Sequence, residues 1–261
     1  MSVVIIRNEI VHYEVLGRGR PLLFLHSWVG TWRYWMPAMQ SASISFRTYA
    51  LDLWGFGDSA KGGAYSLAEQ QNLLQEFITA MGIGKLALVG HGLGALVALQ
   101  YTTQHTEQID RLMLVSMPFD KGGVNGRLNS ASPAELADWL LGRSPQSEAT
   151  RIEAPKADRR AIQASLTDLE SLLLREQLHN LATPCLFVYG WNDPSVTPPP
   201  LEEAVSLPAT SHWITLDESA HFPMLDETPK FNLLLMDFLS LPYGQSPREL
   251  QLKEECKRRV R

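Results

Sequence analysis

Lys85-Leu86-Ala87-Leu88-Val89-Gly90-His91-Gly92-Leu93-Gly94 decides how this chain folds. Its first half is a continuous apolar run, the mark of a strand covered on both faces, and Leu93 to Gln104 then continues with apolar residues at helical spacing. Alternate glycines permit a turn between strand and helix that side chains would block. The outer two let the elements approach, and the middle residue takes a strained backbone that lifts its side chain above the sheet. The pattern is G-x-S-x-G with Gly92 where the serine belongs.

Outward from this turn, Val3 to Val15 reads as a strand pair broken near Asn8-Glu9, and Gly17-Arg18-Gly19 as the next turn. Short apolar runs without alternation follow at Pro21 to His26, Thr48 to Leu53, Leu112 to Ser116, Cys185 to Gly190 and His212 to Leu216. Helical patterns at Ser66 to Met81, Pro133 to Leu141, Arg159 to Leu178 and Pro229 to Leu239 are interleaved with them. This alternation predicts an α/β fold with a doubly wound, mostly parallel sheet. It lapses between Asp120 and Lys156, where glycines and Ser132-Pro133 punctuate a single amphipathic helix. The domain plan is therefore a core of residues 1–119 and 157–243, an insertion at 120–156 after the sixth strand, and a charged tail at 244–261.

Hydrophobic residues are 45% and charged residues 20% of the 261, enough for one sizeable core and unlike disordered or collagen-like chains. A net charge of −5 offers no long-range attraction to nucleic acid. In the tail, Lys253, Lys257, Arg258, Arg259 and Arg261 outnumber the nearby glutamates, which reads as a solvated helix, with a protein-partner element as the alternative. The first residues lack a signal-peptide pattern and no apolar run reaches membrane-spanning length, so a cytoplasmic protein without membrane insertion is expected. Cys185 and Cys256 suggest neither a disulfide framework nor a metal site, and the seven histidines lack ligand spacing. With no nucleotide or flavin motif either, no cofactor is expected.

Five signals stand in order: His26-Ser27-Trp28-Val29-Gly30 after a strand, Asp52-Leu53-Trp54-Gly55-Phe56-Gly57-Asp58-Ser59, the turn at Gly92, Gly190-Trp191-Asn192-Asp193, and Ala220-His221-Phe222-Pro223. Together they make the chain resemble the α/β-hydrolase superfamily, in particular its small esterase, C–C hydrolase and haloperoxidase-like branch with a cap after strand six, over about residues 9 to 243, which implies that the insertion at 120–156 is a cap or lid. The resemblance implies that Asp193 is the triad acid and His221 the triad base, in the order that follows the nucleophile elbow. A carboxylate there fixes the imidazole tautomer while the imidazole moves the proton. It also implies an oxyanion hole from the backbone N–H groups of Trp28 and Leu93, which need no particular side chains. Ser27 stands where the family usually has glycine.

Ser27, Trp28, Phe119, Trp139 and Phe222 fall on segments expected to border one cavity, which suits a small apolar or aromatic ligand. His91, Asp52 and Asp58 read as packing and turn support, and His12, His105, His179 and His212 as core or surface residues. Ser27 and Ser116 lie near strand ends, where a displaced nucleophile is conceivable, but neither has an elbow around it.

Gly92 cannot form an acyl-enzyme, while its lack of a side chain removes strain worth roughly 1–3 kcal/mol at such a turn. Three readings follow: a degenerate hydrolase that binds a ligand or partner without turnover, an ordinary carboxylesterase or C–C hydrolase whose serine has been replaced, and an enzyme in which Asp193 and His221 act as general base on water or substrate. The first is the leading expectation, with serine-type hydrolysis absent or strongly reduced. A partly open cavity with solvent or ligand facing His221, and esterase activity gained by Gly92→Ser, are expected with it.

Overall fold

Arg7 and Asn8 both adopt positive φ, 52° and 64°, the geometry of a two-residue hairpin whose twist matches its strands. They join β1 (Ser2–Ile6) to β2 (Glu9–Leu16) in a computed structural model that describes residues 2–242 and 245–250. β3 (Arg20–Leu25), α1 (Met36–Ala42), β4 (Phe46–Leu51), α2 (Leu67–Ala80), β5 (Leu86–His91), α3 (Leu93–Gln104) and β6 (Ile109–Val115) follow. The eight strands lie in the order β1-β2-β4-β3-β5-β6-β7-β8, where β7 is Cys185–Gly190 and β8 is Ser211–Leu216. β1, β2 and β4 pair antiparallel, and every pair from β4 through β3 to β8 is parallel. Helices cover both sides of the sheet, α1 packing with α11 (Thr228–Ser240) and α2 with α3. The doubly wound fold expected from the alternation is what forms.

β5 and β7 are buried along their whole length, which is why their sequences show no alternation. β4 and β5 flank β3, so the chain reverses direction across the sheet between them. The crevice this opens lies beyond the carboxyl ends of β3 and β5, where open α/β sheets place their ligands. Close packing at that point demands glycine: a β-carbon on Gly94 would lie 2.5 Å from the Leu25 carbonyl oxygen, and one on Gly90 2.3 Å from that of Gly94.

Between β6 and β7 the chain is more helical than expected. α4 (Arg127–Ser130), α5 (Pro133–Leu140) and α6 (Pro145–Glu153) all fall within the segment read as carrying one helix. α6 escapes a search for apolar periodicity because the residues it buries are Ser147, Thr150 and Glu153; its signal is the Ser144 cap followed by Pro145. The single helix expected over Arg159 to Leu178 is two, α7 (Arg159–Asp168) and α8 (Leu174–His179), parted where Leu172 turns extended. α9 (Leu201–Ser206) and α10 (Pro223–Asp226) complete the chain.

The start of the tail is docked rather than loose. Arg248 donates to the carbonyl oxygens of Leu207, Pro208 and Ser211 at the edge strand β8, and Ser246 to that of Ala209. The basic cluster at residues 253–261 lies outside the described residues. No helix among the described residues is long and apolar enough to cross a membrane.

Candidate active site

Asp193 follows β7 and His221 follows β8, on loops that touch closely: a β-carbon on Gly190 would lie 2.0 Å from the Ala220 carbonyl oxygen, and the Asn192 amide donates to Ser219 at 2.9 Å. This stitching sets the His221 Nδ1 to Asp193 Oδ2 distance at 2.8 Å, with both side chains almost wholly buried. Burial works against the Asp193 charge, but His221 and the hydrogen bonds from Ser195 outweigh it and hold the carboxyl well below the usual carboxylate range. Ser195 Oγ donates to Asp193 Oδ1 at 2.7 Å and lies 2.9 Å from His221 Nδ1. The local signal for Ser195 is a serine two residues after an aspartate, whose carboxylate accepts from the Ser195 amide at 2.8 Å.

Gly92 holds the elbow with φ +50° and ψ −109°, its amide bonded to Val115 at 2.9 Å. A β-carbon on it would lie 2.2 Å from Ser27 Oγ and about 3 Å from two carbons of the Trp28 indole. The space over the elbow is thus filled by residues of the loop after β3. Ser27 Oγ stands 3.0 Å from His221 Nε2, so a hydroxyl group faces the nitrogen expected to meet solvent or ligand.

Ser27 is held at its backbone as well. Its N–H donates to Tyr34 Oη at 2.7 Å, and its carbonyl accepts from His26 Nδ1 at 2.8 Å, the Leu53 amide donating to the other His26 nitrogen at 3.0 Å. Tyr34 Oη lies 2.9 Å from His91 Nδ1, and His91 Nε2 lies 2.7 Å from the His221 carbonyl. One consistent set of tautomers serves all of these, with His26 protonated on Nδ1 and His91 on Nε2. Burial, joined at His91 by the neighbouring His221, lowers both histidines and favours these neutral forms. Tyr34 and His91, the latter read as packing in the sequence, therefore link the backbone of Ser27 to that of His221.

Trp28 lies over His221 at a centroid distance of 6.3 Å and 22° between planes, its Nε1–H bonded to Ser165 Oγ on α7 at 3.0 Å. A β-carbon on Gly30 would lie 2.9 Å from the Thr150 methyl carbon of α6. Under this cover Ser27, Trp28, Phe222 and His221 have no exposed surface, and the expected opening at His221 is absent. The extra helices and the anchored indole are the reason.

Phe222 meets the rings of His91 and His221 at 5.0 and 5.2 Å, whereas Phe119 packs on Phe187 and Trp139 lies half-buried under the Arg127 guanidinium. Ser116 donates its hydroxyl to the His221 backbone carbonyl at 3.4 Å. Asp52 is a scaffold residue, accepting from the amides of Trp32 and Asp58 and pairing with His12.

A mostly parallel sheet with a sharp glycine turn after β5, an acid after β7 and a histidine after β8 is the α/β-hydrolase arrangement. The sequence pattern of the alpha/beta hydrolase family matches residues 22–231, and the chain belongs to that family. Among curated relatives, the pimeloyl-[acyl-carrier protein] methyl ester esterase of Vibrio cholerae serotype O1 is 27% identical over 69% of this chain and 78% of its own. The putative carbamate hydrolase RutD of Yersinia enterocolitica is 24% identical over 94% and 97%. The enol-lactonase of Burkholderia xenovorans LB400 superposes with a TM-score of 0.80 at 17% identity, covering 92% of this chain and all of that one, and shows the shared fold.

Proposed function

We propose that this protein hydrolyses small carboxylic esters or lactones with an apolar or aromatic portion, using Asp193 and His221 as its acid–base pair. The observation that carries this reading is the buried Asp193–His221 contact of 2.8 Å, which leaves Nε2 facing a hydroxyl group over the Gly92 turn. A decayed site would have no reason to keep a charged carboxylate under nearly complete cover. The amide of Leu93, first in α3, and that of Trp28 supply the oxyanion hole. Residues 120–156 act as a lid, and substrate enters when this segment and the Trp28 indole move aside. Ester hydrolysis is also supported by the curated relatives, which include a methyl ester esterase and a protein named as a putative carbamate hydrolase. We place the reaction in the cytoplasm, on a diffusible small molecule.

A second reading, ligand binding without turnover, is favoured by the complete burial of His221 and by the glycine at the elbow. Rates with p-nitrophenyl acetate and butyrate, for the protein and for His221→Ala, separate the two. Turnover that collapses in His221→Ala is expected. No turnover above background, with small aromatic ligands still raising the melting temperature, would favour binding alone.

A further inference from the structure

We propose that Ser27 is the nucleophile, standing on the loop after β3 instead of on the elbow; this rests on the hydrolase reading above. A side chain at the elbow and the Ser27 hydroxyl compete for one place, since Ser27 Oγ lies 2.2 Å from where a Gly92 β-carbon would be. The two departures from the family pattern, serine at 27 and glycine at 92, are then a single exchange. The hydroxyl is delivered to nearly the same point from the opposite wall of the crevice.

Two further observations make Ser27 more than a filler. Its Oγ is 3.0 Å from His221 Nε2, within proton-transfer reach, while Asp193 holds Nδ1 on the other side of the ring. Its backbone N–H and carbonyl are fixed by Tyr34 and His26, as a positioned nucleophile requires. The amides assigned above to the oxyanion hole belong to Trp28, the next residue in the chain, and to Leu93, the first residue of α3.

In the reaction Ser27 Oγ bonds to the substrate carbonyl carbon as its proton passes to His221 Nε2, and the carbonyl π pair moves onto oxygen, against the two amides. Collapse of this intermediate breaks the bond to the leaving alcohol, which takes the proton from Nε2. Water then attacks the acyl-Ser27 ester with His221 accepting its proton. The carboxylic acid departs, and the proton returns to Ser27 Oγ.

The test is kcat/KM for p-nitrophenyl acetate across the intact protein, Ser27→Ala, Ser27→Cys, His221→Ala, Gly92→Ser and the double variant Ser27→Gly/Gly92→Ser, each checked for folding by circular dichroism. Ser27→Ala and His221→Ala are expected to fall by roughly a thousand-fold or more. Ser27→Cys is expected to keep measurable activity, and the double variant to exceed both Ser27→Ala and Gly92→Ser by at least about tenfold because it returns the hydroxyl to the elbow. Activity that survives Ser27→Ala but not His221→Ala would overturn the assignment of Ser27 while leaving hydrolysis through His221 standing. Absence of turnover in the intact, folded protein would overturn the hydrolase reading and the assignment together.

Discussion

Ser27 Oγ occupies the space into which any side chain on Gly92 would project, 2.2 Å from the position of the missing β-carbon. The two residues are 65 positions apart in the chain, yet only one of them can carry a side chain at this point.

Gly92→Ala is therefore expected to destabilise the protein by about 2–4 kcal/mol, combining overpacking with left-handed backbone strain. In a Ser27→Gly background the same substitution is expected to cost less, by about 1–2 kcal/mol, since the colliding hydroxyl is gone. Urea unfolding of the four proteins in this cycle measures the coupling. Additive effects would show that the two positions do not share the space. The gain of activity expected from Gly92→Ser on sequence grounds is revised for the same reason, because the new hydroxyl collides with the old one.

Tyr34→Phe removes both the acceptor for the Ser27 amide and the donor to His91. Leaving two buried groups unpaired is expected to cost about 2–4 kcal/mol of stability. A fall in kcat with KM little changed is the expected kinetic signature, since Tyr34 positions Ser27 without contacting substrate. A pure KM effect would argue against that role.

Acidification is expected to destabilise the fold below about pH 6.5, the ordinary histidine value. Burial lowers His91 and His26 in the folded chain, so the unfolded chain takes up protons first, and stability present above that pH is lost as pH falls toward their folded values. His12 opposes this: burial works against its charge, but the hydrogen bond and charge of Asp52, joined by Asp58 and Glu14, outweigh it and raise His12, a contribution that is lost as pH rises. Asp193, held low by His221, adds its loss only as pH falls below the ordinary carboxylate value. Melting temperature against pH for the protein and for His91→Gln measures the balance, and a shallower slope between pH 7 and 5 is expected in the variant. An identical slope would mean that His91 does not carry the effect.

Truncation after Leu241 is expected to lower stability by about 1–3 kcal/mol through loss of the Arg248 hydrogen bonds to three backbone carbonyls. Arg248→Ala in the full chain should reproduce most of that loss in thermal unfolding. Unchanged melting of both would show that the contacts at β8 contribute nothing.

Much of this was legible in the sequence, for stated reasons. Continuous apolar runs placed the interior strands, and the glycines at 90 and 94 announced the elbow because only glycine fits where backbones approach so closely. Asp193 and His221 were named through the resemblance, each on the loop that follows a strand, β7 ending at Gly190 and β8 at Leu216. The position of Ser27 was not legible. Its partner His221 is 194 residues away, and the contact depends on how two loops meet above the sheet, which no spacing records. The covering helices were missed because α6 buries small and polar side chains rather than an apolar stripe.

The most direct test of the Ser27–His221–Asp193 arrangement is peptide-mapping mass spectrometry after treatment with a fluorophosphonate ester, a reagent that is trapped covalently by activated serine hydroxyls. One adduct per chain, mapped to Ser27 and lost in His221→Ala, is the expected result. An adduct on any other serine, or none on a folded and hydrolytically active protein, would contradict it.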